Sequence, residues 1–117
     1  MELLILFLLQ IKHWYFDFAN QSADEIKYKG IYLDWRGLTH SIKHSIATAL
    51  IFVIFAPWQI AVALGILDLI IHYHIDWIKI KWGTKDISTK LFWNQFGLDQ
   101  LAHQTTYIVL ILLFNFY

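Results

Sequence analysis

Four apolar segments, separated by short polar clusters, follow one another along the chain. They run from about residue 3 to 18, from 38 to 56, from 58 to 78 and from 91 to 117. A helix of roughly 20 residues crosses a ~30 Å hydrocarbon core, and the segments are close to that length. The pattern predicts four helices, with the second and third joined tightly at Pro57, which lacks an N–H and has a fixed φ.

Composition places these helices in a membrane. Hydrophobic residues make up 58% of the 117 residues and charged residues 15%, whereas soluble domains have about 45–50% apolar and about 25% charged residues. A chain of this length forms one domain. We therefore expect an all-α fold, an integral membrane four-helix bundle that is a single domain over residues 1–117. Amphipathic helices on the membrane surface are the competing interpretation, but three of the four segments have too little polar surface for it.

The basic residues are confined to two regions of the sequence. They lie in the first and third predicted loops and at the adjoining helix ends, but not in the turn at Pro57 or at the termini. In a four-span chain these loops emerge on one side, which the positive-inside rule makes cytoplasmic, so both termini lie on the non-cytoplasmic side. Nine basic residues balance nine acidic ones. No global positive field favours nucleic acid, and membrane lipid is the expected partner.

Polar residues that are out of place in a bilayer form four pairs with one spacing. The pairs are His13 with Asp17, His40 with His44, His72 with Asp76, and Asp99 with His103. A separation of four residues puts both side chains on one helix face, about one turn apart. Because successive helices alternate in direction, all four pairs are expected in the cytoplasmic leaflet, facing one small volume.

A divalent metal would compensate the buried carboxylates of these pairs. On insertion scales a charged residue at a helix centre costs roughly 2.5–3.5 kcal/mol, and imidazole and carboxylate are common ligands of zinc and similar ions. We expect all eight paired residues to contribute to a metal site, with zinc as the leading candidate. Eight groups exceed the four ligands of one tetrahedral zinc, so either two ions bind or some of the eight act in catalysis.

Three alternatives to a metal site stay open: a structural polar network, a proton or ion pathway, and haem held by two histidines. The absence of cysteine excludes thiolate ligands and a cysteine nucleophile. His74 lies about 200° around the helix from His72 and is expected at the membrane interface. Asp68, one turn before His72, is either a helix-capping contact or a deeper ligand.

Four short motifs carry a resemblance to a known family. The stretches HWYFDFANQ, LTHSIKH, HYHIDWIK and LDQLAH resemble, in order, the H-x3-D-F-x2-Q, L-x-H-x3-H, H-x3-D-x2-K and D-Q-x2-H blocks of domain of unknown function 3307 (DUF3307), an uncharacterised membrane family of bacteria and phages. The resemblance covers nearly the whole chain. It implies a bacterial inner-membrane or phage-encoded protein, and it implies that six residues matter together: Asp17, Gln21, His44, Asp76, Lys79 and Asp99.

A second, weaker likeness concerns the reaction. The stretch WRGLTHS resembles the H-R-G-x-T-H-S block of a family described as membrane-bound metal-dependent hydrolases, although Trp35 stands where that family has histidine. It implies, by analogy, hydrolysis of a lipid-linked substrate. In that hypothesis Asp76 or Asp99 is the general base, and Lys79 meets an anionic headgroup. The alternative is a non-enzymatic membrane protein, either a proton or ion conductor or a phage factor that modulates the host membrane.

Overall fold

The computed structural model describes residues 1–117, and every regular element in it is helical. Five α-helices follow in order: α1 Glu2–Trp14, α2 Ala23–Tyr28, α3 Trp35–Phe52, α4 Trp58–Trp82 and α5 Lys90–Asn115. A π-helical turn, Tyr15–Ala19, continues α1. The all-α prediction is confirmed. The short helix α2 was not predicted, and the first segment, predicted as one helix to about residue 18, is α-helical only to Trp14.

Side-chain caps explain where three of the helices begin. Ser22, Asp34 and Thr89 precede α2, α3 and α5, and each accepts a hydrogen bond from a backbone N–H of the helix that follows. The Arg36 guanidinium also donates to Asp34, which lowers the pKa of that carboxyl. Because Asp34 supplies the cap, α3 begins at Trp35, about one turn before the start expected from apolar residues alone.

The helix α3 also ends earlier than predicted. The helix stops at Phe52, and residues 53–56 form a turn before Pro57. The residue that precedes a proline, here Ala56, is disfavoured in the α conformation, which favours a helix end before Pro57. The tight connection between α3 and α4 forms as expected. It includes residues 53–56, which were predicted to be helical.

Small residues let α3 and α4 pack at close range. Ser45 of α3 donates its hydroxyl to the carbonyl oxygen of Gly65 on α4 at 2.7 Å. A Cβ atom on Gly65 would lie 2.9 Å from the Ser45 carbonyl oxygen and 3.0 Å from the Ala49 Cβ. Close backbone approach of this kind is how helices associate when apolar burial gives little driving force. The contact sets the relative position of the two helices next to His44 on α3 and about two turns before His72 on α4.

Polar groups fill much of the interior, and apolar side chains cover much of the outside. More than half of the 25 buried residues are polar or charged. The apolar core is a separate layer that lies toward the turn at Pro57 and includes Phe52, Leu64 and Leu110. Large apolar residues on every long helix are exposed, such as Leu3 at 81% and Leu50 at 62%. Buried polar residues in this number are unusual, because polar and charged residues lie mostly at the surface of a folded domain.

One helix, α4, is long and apolar enough by itself to cross a membrane. The α-helical part of the first segment has only 13 residues. In α3 and α5 both interior residues, such as His44 and His103, and more exposed ones, such as Lys43 and Lys90, lower the mean hydropathy of the helix. The four-span arrangement and the orientation of the termini therefore stay predictions.

Alanine at Gly65 and at Gly97 should shift stability in opposite directions. A Cβ atom on Gly97 meets nothing within 4 Å, so Gly97→Ala gains helix propensity of about 0.5–1 kcal/mol and raises the Tm. Gly65→Ala must push α3 away from α4 at a cost of about 1–3 kcal/mol, which lowers the Tm. Thermal unfolding of detergent-purified protein, followed by circular dichroism, measures both. Equal shifts would contradict the close α3–α4 contact.

Candidate metal centre

Three helices and the π turn bring six histidine and aspartate side chains into one buried volume. We call these residues the His/Asp cluster: Asp17 of the π turn, His40 and His44 of α3, His72 and Asp76 of α4, and His103 of α5. They form two overlapping groups that could hold a metal ion, one with Asp17, His40, His44 and His72, the other with His72, Asp76 and His103. Within each group the ligand atoms lie within 4.8 Å of one another.

The π turn presents Asp17 to the cluster. The Asn20 N–H donates to the carbonyl oxygen of Tyr15 at 2.7 Å, a bond that spans five residues instead of four. The Oδ1 atom of Asp17 then lies 2.8 Å from Nε2 of His40 and 2.8 Å from Nε2 of His44. Single π turns are frequent at functional sites, and here the turn connects α1 to two histidines of α3.

Three ligand atoms of the cluster form a nearly equilateral triangle. Nε2 of His40 lies 3.3 Å from Nε2 of His72 and 3.3 Å from Oδ2 of Asp76, and the third side, His72 to Asp76, is 3.2 Å. Ligand atoms about 2.0–2.1 Å from a tetrahedral ion lie about 3.3–3.4 Å apart. The triangle therefore matches one face of zinc-type coordination.

The hydrogen bonding of the triangle is incomplete without an ion. Oδ2 of Asp76 is buried and has no hydrogen-bond partner, although it lies close to both imidazoles. At most one hydrogen can lie between the facing Nε2 atoms of His40 and His72. A metal ion would accept a lone pair from all three atoms at once, so the residues present fit a divalent ion.

The second group extends from the triangle toward α5. Oδ1 of Asp76 lies 3.1 Å from Nε2 of His103, so the two oxygens of one carboxylate face different histidines. Asp99, one turn before His103, places Oδ1 3.4 Å from the same Nε2 atom. Because His72 belongs to both groups and Asp76 also faces His40, the geometry of the cluster accommodates one ion or a closely spaced pair.

Two of the eight predicted ligands lie at the edge of the cluster. The Nε2 atom of His13 lies 2.7 Å from Oε1 of Gln100, while Nδ1 lies 2.9 Å from the Tyr107 hydroxyl and 3.3 Å from Oδ2 of Asp17, its predicted partner. Asp99 lies between His103 and Lys79, whose Nζ atom is 3.2 Å from Asp99 Oδ2. The two residues belong to neither group that could hold a metal, and they lie where they can orient its members.

Glu25 of α2 belongs to the site, and the sequence analysis missed it. The residue is 3% exposed, and its Oε2 atom lies 3.3 Å from Nδ1 of His40, while Lys43 pairs with its other oxygen. A carboxylate on the outer nitrogen of a histidine is the usual way to orient a metal-binding imidazole. The signal was present as Ser-x-x-Glu at residues 22 to 25, a pattern that marks a helix start.

Gln21, the loop residue that the family resemblance singled out, lies close to the cluster. Gln21 donates to the carbonyl oxygen of Asp17 at 2.7 Å and accepts from Lys29 at 2.9 Å. Lys29 in turn lies 3.8 Å from Oδ2 of Asp76. His74, by contrast, points away from the cluster, with Nε2 2.9 Å from the hydroxyl of Tyr32.

A comparison with known protein families identifies the family of the chain. A model of the family described as "Protein of unknown function (DUF3307)" matches residues 4–117. The chain belongs to the DUF3307 family. The resemblance inferred from the four motifs is therefore confirmed. No curated protein and no solved structure matches the chain. What this DUF3307 protein does must be inferred from its own residues.

Asp68 of the DUF3307 chain is neither a helix cap nor a member of the cluster. It is fully buried, and its Oδ2 atom lies 3.0 Å from Nζ of Lys12. Thr48 donates its hydroxyl to the same oxygen at 2.5 Å and accepts from Lys12 at 3.1 Å. Lys12, assigned from sequence to the basic loop region, is therefore an interior partner of Asp68. Its cation offsets the cost of burying that carboxylate.

Removing one member of this buried pair should destabilise the DUF3307 chain strongly. Lys12→Met leaves an uncompensated carboxylate at Asp68, at a cost of about 3–5 kcal/mol. The double variant Lys12→Met, Asp68→Leu removes both charges and should recover most of the lost Tm. Lys90→Met, at an exposed position, is the control and should leave the Tm nearly unchanged. A double variant as unstable as the single one would contradict the pairing.

Proposed function

We propose that the chain is a small polytopic membrane protein that binds a divalent metal in its His/Asp cluster and hydrolyses a lipid-linked substrate at the cytoplasmic leaflet. The observation that carries the proposal is the triangle of ligand atoms formed by His40, His72 and the unpartnered Oδ2 of Asp76. Two imidazole nitrogens and a carboxylate oxygen at tetrahedral spacing are a donor set that zinc and similar ions take.

The distribution of polar and apolar residues supports the membrane placement. Contiguous apolar surface on all the long helices would be unfavourable in water, where monomeric proteins expose only limited apolar patches. In lipid the same surface is favourable, and interior charges must pair with one another, as Lys12 and Asp68 do. With basic loops on the cytoplasmic side, a bacterial inner membrane is the proposed location.

His40, His72 and Asp76 would hold the ion, with Asp17 next to them. Oδ1 of Asp17 lies 2.8 Å from Nε2 of His40 and 3.8 Å from Nε2 of His72, which places it beside the triangle. A bound divalent ion supplies Lewis acidity, which activates water and polarises a scissile group. His103, on the other oxygen of Asp76, offers a position for a second ion.

Asp99 is the carboxylate best placed to move a proton during hydrolysis. Its Oδ1 atom is buried without a hydrogen-bond partner, while Oδ2 accepts from Lys79 and Gln100. Asp76, which the sequence analysis considered for the same role, faces three imidazoles and is better suited to hold the ion. Lys79 is partly exposed beside Asp99 and would neutralise an anionic group of the substrate.

Proton conduction is a second candidate, favoured by the polar residues beyond the cluster. Lys12, Thr48 and Asp68 form a buried hydrogen-bonded set, and Gln10, two residues before Lys12 on α1, pairs with Gln104. Side chains of this kind can relay protons. Proton flux into liposomes that persists after treatment with a chelator would support this candidate and count against the hydrolase.

Metal content tests the proposed function directly. Protein purified without chelators should contain at least one equivalent of a divalent metal by elemental analysis. Asp76→Ala and His44→Ala should lose most of this metal. Asp76 is one of the proposed ligands, and His44 lies 2.8 Å from Asp17 in the cluster. His74 lies on α4, as Asp76 does, but outside the cluster. The variant His74→Ala should therefore retain the metal. Full metal in both cluster variants, or none in the wild type, would contradict the proposal.

Glu25→Gln should weaken metal binding without abolishing it. The substitution keeps the shape of the side chain but removes the charge that orients His40 through Nδ1. Loss of such an outer carboxylate typically costs about 10–100-fold in metal affinity. Competition with a chromogenic chelator measures the change. Asp24→Asn, at the exposed neighbouring position, should leave the affinity unaltered, and an equal loss in both variants would contradict the role of Glu25.

A further inference from the structure

An apolar crevice opens between the end of α4 and the first half of α5. Its volume is about 350 Å³, and apolar residues such as Ile75, Ile78, Leu98 and Ala102 line it. Ile78 and Leu98 are half exposed, so the crevice is open on the outer face of the bundle. It extends about 10 Å along α4, from the level of the His/Asp cluster to the end of the helix.

A smaller and more polar cavity adjoins the crevice. It has a volume of about 190 Å³ and is lined by Lys79, Lys85, Thr84 and Gln95, among others. Lys79, Gly83 and Gln95 line both cavities, so the two are contiguous. Together they form one amphipathic site, with an apolar part that faces the outer surface and a cationic part at the end of α4.

We propose that this pair of cavities binds a lipid whose headgroup is a net anionic phosphate monoester, its acyl chain between α4 and α5 and its phosphate at Lys79 and Lys85. The apolar part matches a hydrocarbon chain in character, and two lysines match a phosphate in charge. The inference deepens the proposed function, on which it rests for its placement in a membrane, because it names the substrate class and the route by which it reaches the cluster.

Lys79 connects the lipid site to the cluster through Asp99. The ammonium of Lys79 donates to Oδ2 of Asp99 at 3.2 Å and lies over the ring of Phe96, 4.8 Å from its centroid. Asp99 lines the crevice and also faces His103, so it separates the lipid site from the proposed metal. A phosphate that pairs with Lys79 competes with the Asp99 carboxylate for the Lys79 ammonium group. Binding thereby frees the Asp99 carboxylate at the position where hydrolysis needs it.

Binding of lipid to the full chain tests this inference without any need for turnover. Native mass spectrometry of detergent-purified protein is performed with dioleoyl phosphatidic acid, with dioleoyl phosphatidylcholine, and with inorganic phosphate as competitor. We expect retention of phosphatidic acid in preference to phosphatidylcholine. Inorganic phosphate at equal concentration should not displace it, because the acyl chain contributes to binding. Equal retention of the two lipids, or displacement by inorganic phosphate, would overturn the proposal.

Matched variants locate the site. Lys79→Gln should lower affinity for phosphatidic acid about fivefold, the factor that one lysine contributes toward an anionic lipid. Lys81→Gln, on the same helix but outside both cavities, should change it little. Ala102→Trp fills the crevice and should reduce retention of lipid, whereas Leu101→Trp, on the adjacent outer surface, should not. Equal effects of Lys79→Gln and Lys81→Gln, or of Ala102→Trp and Leu101→Trp, would overturn the proposal. If Ala102→Trp fails to fold, the comparison of Lys79→Gln with Lys81→Gln decides alone.

Failure of this inference and failure of the proposed function give different results. Selective lipid binding by protein that contains no metal rejects the metal-dependent hydrolase and leaves the lipid site standing. Metal-loaded protein that shows no lipid selectivity rejects the lipid site and leaves the metal centre standing. The elemental analysis and the lipid titration are performed on the same preparation, so each sample reports on both.

Discussion

Buried carboxylates that must each find a cationic, imidazole or metal partner organise this molecule. Asp68 and Asp76 are buried and the Asp17 side chain is only 9% exposed, in surroundings where an unpaired charge costs several kcal/mol. Asp68 brings Lys12 of α1 against α4, and Asp17 brings the π turn against two histidines of α3. Asp76 connects α4 to α3 and α5 through His40 and His103. Polar contacts therefore fix the helix arrangement at this end of the bundle.

The apolar layer toward the turn at Pro57 contributes packing rather than chemistry. Phe52, Leu64 and Leu110 fill that end, and the close contact at Gly65 holds α3 and α4 together between the two layers. A metal centre needs ligand atoms held within fractions of an ångström, and ligands on rigid helices achieve this better than ligands on loops. The only short helix in the chain, α2, adds Glu25 behind His40 and closes the site at the loop end.

The sequence predicted the members of the cluster because helical periodicity is local. A spacing of four residues placed His72 beside Asp76 and Asp99 beside His103, and the structure shows these contacts. Glu25 was not predicted because its role depends on a loop that folds back onto α3. Lys12 was misplaced because a charge near a helix end was taken as interfacial. The exact partners across helices, such as Asp17 with His40, depend on tertiary packing that no local pattern encodes.

The π turn after α1 makes the chain sensitive to length at one point. Each residue of an α-helix turns the chain by about 100°, so deleting one residue from Tyr15–Ala19 would restore α-helical hydrogen bonding and swing the following chain away from α3. Asp17 would then no longer face His40 and His44. In this segment a variant chain can exchange side chains other than that of Asp17, but it must keep the number of residues between His13 and Gln21.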